Sequence, residues 1–129
     1  MGLVLGIHHV SLKTCNMEEY EKVVSFYSGV LGLPIARTWD NGIMFDTGSG
    51  LIEIFKNGES PLPQGTIRHI AFAVDNVDAC VRAVMDAGYE AFMGPKDICI
   101  PSVPEFSARM AFCRGPLGEE IEFFCEKDE

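Results

Sequence analysis

Apolar and polar residues follow one another along this chain with two different spacings, and the order of these spacings predicts the fold. Alternation over 7–13 predicts a strand, because neighbouring side chains of a strand point to opposite faces. Apolar residues then recur every three or four positions as far as Leu31, which predicts a helix. Asn16 is its expected N-cap, with Glu19 as the capping-box partner, and Gly32 is expected to end it in a left-handed conformation.

Three short apolar runs follow this helix and are separated by turns that contain glycine. They predict strands over about 33–39, 43–46 and 50–55. A polar stretch with two prolines, 57–65, is expected to be a linker. The predicted order up to this point is strand, helix, strand, strand, strand.

The same order of elements then begins again. A strand is expected over about 66–74, and Asn76 is expected to cap a helix that ends near Gly88. The remaining strands are expected around Ala91, over 108–113 and over 120–125. The second half of the chain therefore has the same predicted order as the first.

An internal repeat of about half the chain follows from this order, with repeat 1 over about 5–56 and repeat 2 over about 66–126. The two repeats are expected to form one domain over 1–129. The stretch 94–106 contains three prolines and is expected to be an irregular loop, long enough to have a function.

One histidine and one glutamate occupy matching places in the two repeats. His9 lies in the first strand of repeat 1 and Glu53 in its last strand, and His69 and Glu122 lie in the same two strands of repeat 2. Alternation allows all four side chains to lie on the faces away from the helices. The pattern predicts a metal site with these four ligands. The expected fold is α+β, with two tandem βαβββ repeats forming a curved mixed sheet around a metal-binding cavity.

Each of these residues alone has a simpler interpretation, since a strand histidine is often a hydrogen-bonded structural residue and a strand glutamate often faces solvent. Glu53 fits that interpretation poorly because apolar residues surround it, and a lone buried carboxylate is costly unless it is paired or metal-bound. Duplication of the pair favours the metal site. His8 has Arg68 as its counterpart, and alternation places it on the helix side, so it is expected to be structural or partly exposed and not a ligand.

Composition narrows the class of partner and the compartment. The formal net charge of -9 argues against nucleic acid and anionic membranes as partners, because there is no basic surface to release counterions. Five cysteines with no C-x-x-C spacing predict reduced thiols rather than a disulfide framework. The first residues lack the features of a signal peptide. The protein is therefore expected in the cytoplasm, with a small molecule as its substrate.

The chain resembles the vicinal oxygen chelate superfamily over nearly its whole length. The resemblance rests on the duplicated His and Glu, on the sequence FYSGVLGL after the first helix and on the turn GPLG before the last strand. It implies two repeats whose curved sheets enclose a metal, often with dimerisation, so a homodimer is expected. Whether one chain or two supply the four ligands is left open.

The His-Glu-His-Glu set is similar to that of glyoxalase I within this superfamily, whereas methylmalonyl-CoA epimerases usually have Gln in place of Glu53. Asn57 matches a glutathione-contacting asparagine of bacterial glyoxalase I, and Lys13 stands where that family usually has Arg. The resemblance thus implies a substrate-binding role for Lys13 and Asn57. Lysine keeps the charge but loses the bidentate fork that suits a carboxylate.

The activity that the resemblance implies is isomerisation of the hemithioacetal of methylglyoxal and glutathione, or another thiol, to a 2-hydroxyacyl thioester. It also implies one divalent metal per site, with Ni, Co or Zn expected, and it assigns proton transfer to Glu122 with Glu53 assisting. A methylmalonyl-CoA epimerase-like enzyme is one alternative. The other is a small-molecule-binding resistance protein without catalysis, with a pocket lined by Trp39, Phe45, Phe55, Phe106 and Phe124.

Overall fold

The structure is a computed structural model, which describes residues 2–3, 5, 7–59 and 68–127. The chain forms two compact units, Met1–Leu62 and Pro63–Glu129, which divide within the expected linker. Part of that linker, 60–65, lies outside the described residues, as do the first two positions of the strand expected over 66–74.

The described residues of the first unit form one helical region and four strands. Its elements are β1 (His9–Lys13), α1 (Met17–Val24), a π-helical turn (Ser25–Val30), β2 (Ile35–Trp39), β3 (Gly42–Asp46) and β4 (Leu51–Phe55). The strands form one mixed sheet in the order β1-β4-β3-β2, in which β1 is parallel to β4 and the other pairs are antiparallel. This order places the first and last strands of the repeat side by side.

Local signals explain where α1 begins and where the helical region ends. The side chain of Asn16 accepts a hydrogen bond from the backbone N–H of Glu19 at 2.8 Å, as expected for an N-cap. The Glu19 carboxylate accepts a bond from the backbone N–H of Cys15 at 2.8 Å, one residue before the position of the usual capping box. Gly32 has a φ of 72°, which confirms the predicted left-handed residue after the helix.

The core of the first unit lies on the helical side of its sheet. Five fully buried side chains form its centre: Val23, Phe26, Tyr27, Phe45 and Ile54. The rings of Tyr27 and Phe45 stack with their centroids 6.2 Å apart, and α1 packs against β4. Burial of this face leaves the other face of β1 and β4 available for polar residues.

The second unit repeats this arrangement. Its elements are β5 (Ile70–Ala73), α2 (Val77–Asp86), β6 (Ala91–Ile100), β7 (Phe106–Arg114) and β8 (Glu120–Lys127). The sheet order is β5-β8-β7-β6, and β5 is parallel to β8. The side chain of Asn76 caps α2 by accepting from the backbone N–H of Ala79 at 3.0 Å. Two open, four-stranded mixed sheets, one per repeat, confirm the predicted tandem βαβββ order.

The prediction of an irregular loop over 94–106 is wrong. Most of this stretch belongs to a long antiparallel hairpin, in which the end of β6 pairs with the start of β7 and only residues 101–105 connect them. Pro95 lies at an irregularity between Met93 and Lys96, where the missing N–H of proline does not interrupt regular pairing. The three prolines of 94–106 therefore mark a bulge and a short connection between strands, not a long irregular loop.

No helix in the described part of the chain is both long and apolar enough to cross a membrane.

Candidate metal centre

The parallel strands of the first unit bring His9 and Glu53 together. Ser11 on β1 is opposite Glu53 on β4, and His9 lies two residues earlier on the same face of β1. The His9 Nε2 atom is 3.5 Å from the Glu53 Oε1 atom. Glu53 is only 8% exposed, whereas His9 is exposed. The buried carboxylate of Glu53 therefore lies beside an imidazole that is exposed to solvent.

The second unit contains the same arrangement. Ala71 on β5 is opposite Glu122 on β8, and His69 again lies two residues before that position. The His69 Nε2 atom is 3.2 Å from the Glu122 Oε1 atom, and Glu122 is 9% exposed. Because the strand register is the same in both repeats, the histidine and the glutamate have the same relative placement in each unit.

The four residues therefore form two His–Glu pairs, one in each unit. Ser11 and Ala71, the residues opposite the two glutamates, are small and leave space beside each carboxylate. Within either unit, the described residues contain no group of three or more His, Cys, Asp or Glu side chains placed to hold a metal ion. Each repeat by itself supplies two candidate ligands.

His8 is a neighbour of the first pair that sequence reasoning missed. Alternation placed it on the opposite face from His9, but it precedes β1 and is free of that constraint. Its Nδ1 atom lies 2.9 Å from the Nδ1 atom of His9, and the two rings meet nearly at right angles. His8 is exposed, which agrees with the partial exposure expected for it. Two consecutive histidines at a strand start were the signal that such a contact can form.

The second pair has an aromatic neighbour instead. The ring of His69 contacts the ring of Phe112 edge to face, with centroids 5.0 Å apart. Phe112 on β7 is opposite Glu122, so the register of β7 and β8 places it beside the pair. Phe92 contacts Phe112 in turn, and the guanidinium of Arg114 lies 4.4 Å from the centroid of the Phe92 ring. The strand register needed to predict these contacts was not evident from the sequence.

Lys13 and Asn57, the expected substrate contacts, lie on segments that meet at one end of the first sheet. The backbone N–H of Gly58 donates to the carbonyl of Thr14 at 2.8 Å, which holds the residues after β4 against the end of β1. Both Lys13 and Asn57 are exposed. The Lys13 ammonium lies 5.9 Å from the centre of the Phe55 ring, two residues beyond Glu53. A cation and an amide therefore lie at the end of β1 and just after β4, beyond the first His–Glu pair.

The aromatic residues considered as a pocket lining separate into core and surface groups. Phe45 is fully buried in the first unit and belongs to the core. Trp39 contacts Phe55 edge to face at 5.7 Å, and it lies so close to Gly42 that a Cβ there would be 2.8 Å from its indole. The corresponding contact in the second unit joins Phe106 and Phe124 at 6.4 Å. The half-buried pairs are thus placed two residues beyond each glutamate.

Two tandem βαβββ repeats, each with a His–Glu pair where its first and last strands run parallel, define a protein of the vicinal oxygen chelate class. The family model of the Glyoxalase/Bleomycin resistance protein/Dioxygenase superfamily matches residues 6–123, and the chain belongs to this superfamily.

Solved structures of similar fold agree with this assignment. A Bacillus anthracis protein described as belonging to the glyoxalase family is 22% identical, with a TM-score of 0.74, and the match covers 98% of this chain and 99% of that one. A glyoxalase/dioxygenase from Nostoc punctiforme is 20% identical, with a TM-score of 0.73 and coverage of 98% and 94%. At these identities the likeness shows the fold alone. No curated protein matches the sequence.

Proposed function

We propose that this protein is a metal-dependent lyase of the glyoxalase I type. Its substrate would be the hemithioacetal of a 2-oxoaldehyde such as methylglyoxal and a thiol such as glutathione, and its product a 2-hydroxyacyl thioester. One observation carries the proposal: the same His–Glu pair occurs in both repeats, with Nε2 to Oε1 distances of 3.5 Å and 3.2 Å. Both carboxylates are buried. If these two positions served only for packing, an apolar residue would be expected at each.

The donor set fits a divalent transition metal. Two imidazole nitrogens and two carboxylate oxygens form a mixed N/O set that suits Ni, Co or Zn. A buried carboxylate loses its hydration and is stable only when it is paired or coordinated, and a neutral imidazole compensates only in part. His9, Glu53, His69 and Glu122 would hold the metal. When bound, it would supply Lewis-acid stabilisation of the negative charge that develops on the substrate oxygens.

Glu122 would move the proton in this reaction. Its carboxylate accepts the proton from C1 of the hemithioacetal; the electron pair of the broken C–H bond forms the C1–C2 double bond, and the π pair of the C2 carbonyl moves onto its oxygen. The protonated carboxyl then returns the proton to C2 as the C1 oxygen becomes the thioester carbonyl, and the proton of the C1 hydroxyl ends on the C2 oxygen, so the reaction is an isomerisation that needs no oxidant or reductant. The choice of Glu122 over Glu53 rests on the family resemblance, and Glu53 assists.

Lys13 and Asn57 would bind the polar end of the thiol. In a protein with a net charge of -9, most of the surface repels an anionic substrate, so an exposed cation beside the site favours one orientation. Lys13 is such a cation, and Phe55 beneath it offers an apolar surface. Because the lysine ammonium is a point charge and not a planar fork, it can pair with a carboxylate in several geometries.

The test is metal content by mass spectrometry, followed by turnover of methylglyoxal and glutathione after reconstitution with Ni, Co or Zn. Glu122→Gln should lower kcat by about 10²- to 10⁴-fold, since this is the usual contribution of a general base. Glu126→Gln is the matched control, because Glu126 lies on the same strand and is exposed. Near-normal turnover by Glu122→Gln would remove the proposed role.

Metal binding without turnover would reject the lyase while keeping the metal site. The next assay would then be exchange of the α-proton of methylmalonyl-CoA, which an epimerase with the same proton-transfer residue would catalyse. Absence of metal binding would reject both enzymes.

A further inference from the structure

His9 has a hydrogen-bond partner that its counterpart in the second repeat does not share. Its Nε2 atom faces the Glu53 carboxylate at 3.5 Å, and its Nδ1 atom lies 2.9 Å from the Nδ1 atom of His8. His69 likewise faces its glutamate, at 3.2 Å, but the ring beside it is that of Phe112. Each nitrogen of the His9 ring thus has a different neighbour, Glu53 at Nε2 and His8 at Nδ1.

The contact between two imidazoles has an unusual chemical property: either ring can be the donor. A neutral imidazole has one nitrogen that carries a proton and one that carries a lone pair. A short Nδ1···Nδ1 contact therefore needs one ring that is protonated on Nδ1, as donor, and one that is not, as acceptor. If His9 carries its proton on Nε2, towards Glu53, then His8 donates to Nδ1 of His9. If His9 carries its proton on Nδ1, then His8 accepts it. The same geometry serves both tautomers.

Metal binding through Nε2 of His9 requires the tautomer with its proton on Nδ1, because the ligating nitrogen must have its lone pair free. The other ring N–H of a metal-binding histidine is usually donated to an acceptor, which fixes the ring orientation and raises the basicity of the ligand. His8 Nδ1 is at the right distance to accept that bond. A residue that can only donate would stabilise the wrong tautomer.

The second repeat offers a natural comparison. Arg68 stands where His8 stands in the first repeat, and it is exposed. A guanidinium has five N–H donors and no acceptor, so it is unable to accept a bond from an imidazole N–H. His8 can therefore support His9 in this way, whereas Arg68 cannot support His69.

We propose that His8 is a positioning residue for His9, which selects the Nδ1–H tautomer and so prepares Nε2 of His9 to bind the metal. This inference rests on the proposed function, because it gives His8 a role only if His9 is a ligand. It makes the two halves of the site unequal: the first half is prepared by a hydrogen bond, and the second by packing against an aromatic ring.

The experiment compares zinc affinity, measured by competition with a chromophoric chelator, for wild type and four variants. His8→Ala should weaken binding by about tenfold, as removal of such hydrogen-bond partners usually does. His8→Gln should restore most of the affinity because its amide oxygen accepts a hydrogen bond, whereas His8→Arg should not. Arg68→Ala is the matched control and should bind zinc as wild type does.

A second readout follows the tautomer itself. In the zinc-loaded protein, ¹⁵N-edited spectra should show a protected Nδ1–H proton of His9 in wild type and in His8→Gln, and this proton should exchange rapidly in His8→Ala. All variants should unfold at the wild-type temperature because His8 is exposed. Equal zinc affinity of wild type and His8→Ala, or no recovery with His8→Gln, would overturn the inference alone. Absence of zinc binding by wild type would overturn the proposed function as well.

Discussion

At the scale of single residues, Glu53 and Glu122 depart from the pattern that builds the sheets. Their neighbours in sequence are buried apolar residues, and an apolar residue in either place would avoid the loss of carboxylate hydration. The imidazoles of His9 and His69 give each carboxylate a partner at its exposed side. Conflicts of this kind between burial and polarity are expected at functional positions, where stability is lost for chemistry.

Lys13 provides a test of the substrate end of the site. Lys13→Gln keeps the approximate length of the side chain and removes its charge. We expect KM for the glutathione hemithioacetal to rise by about two- to fivefold, because an exposed ion pair contributes up to about 1 kcal/mol. The contact is made equally in the ground state and the transition state, so kcat should stay nearly constant.

Steady-state kinetics of three variants would separate a specific contact from a general charge effect. Lys13→Arg should keep KM at or below the wild-type value. Lys22→Gln is the control for net charge, because Lys22 is an exposed residue of α1 paired with Glu18. An unchanged KM for Lys13→Gln would exclude a contact between Lys13 and the substrate. An equal rise in KM for Lys13→Gln and Lys22→Gln would show that only the net charge of the protein matters.

At the scale of elements, a cluster of charges connects α2 to the β6–β7 hairpin. The Arg109 guanidinium on β7 donates to both carboxylate oxygens of Asp78 on α2, at 2.7 Å and 2.9 Å. It also donates to Asp97 on β6 at 3.2 Å, and Lys127 on β8 pairs with Asp97 as well. Four elements of the second unit meet at this cluster, which links the long hairpin to α2 and to β8.

This cluster predicts how the second unit responds to acid. Hydrogen bonds from Arg109 lower the pKa of Asp78, and those from Lys127 and Arg109 lower the pKa of Asp97. A lowered pKa in the folded state gives stability that is present above the unfolded pKa, about 3.9, and that disappears as the pH falls through the folded value. Wild type should therefore lose part of its thermal stability below about pH 4.

Thermal unfolding of Arg109→Gln across pH 7 to 2 would test this origin. The variant should unfold at a lower temperature than wild type at pH 7, and the difference should shrink as both aspartates become protonated. Arg37→Gln, an exposed substitution in the first unit, is the control. A difference between Arg109→Gln and wild type that is independent of pH would assign the effect to packing instead of charge.

Prediction from sequence succeeded where a signal is local and failed where it depends on strand register. Alternation along β1 placed His9 on the face away from the core, because the period of a strand is a property of its own backbone. The hairpin over 94–106 was missed, because its prolines are compatible with strands only at a bulge and a turn that the sequence does not mark. The contact of Phe112 with His69 needs the β7–β8 register, which is set by packing of the whole unit.

At the scale of the whole molecule, duplication divides the proposed site equally between the two repeats. Each unit folds around its own core and contributes one His–Glu pair from the same two strands. The surroundings of the pairs have diverged, with His8 beside the first and Phe112 beside the second. A pair offers only two ligands, fewer than the three or four protein ligands of most transition-metal sites, so the proposal requires that two pairs act together.

The number of metal ions per chain tests that requirement directly. Each chain has two pairs and each metal needs two, so one metal per chain is expected whether both pairs come from one chain or from two chains of a dimer. Either Glu53→Gln or Glu122→Gln alone should then weaken binding of the whole metal complement, and neither variant should leave half of it bound with the wild-type affinity. Independent pairs would instead bind two metals per chain weakly, and each single variant would keep one. Metal analysis combined with light scattering distinguishes these outcomes, because the scattering mass shows whether the loaded species is a monomer or the expected homodimer. Two metals per chain would mean that each repeat holds a metal site of its own. One metal per chain would mean that the site exists only because the repeat was duplicated.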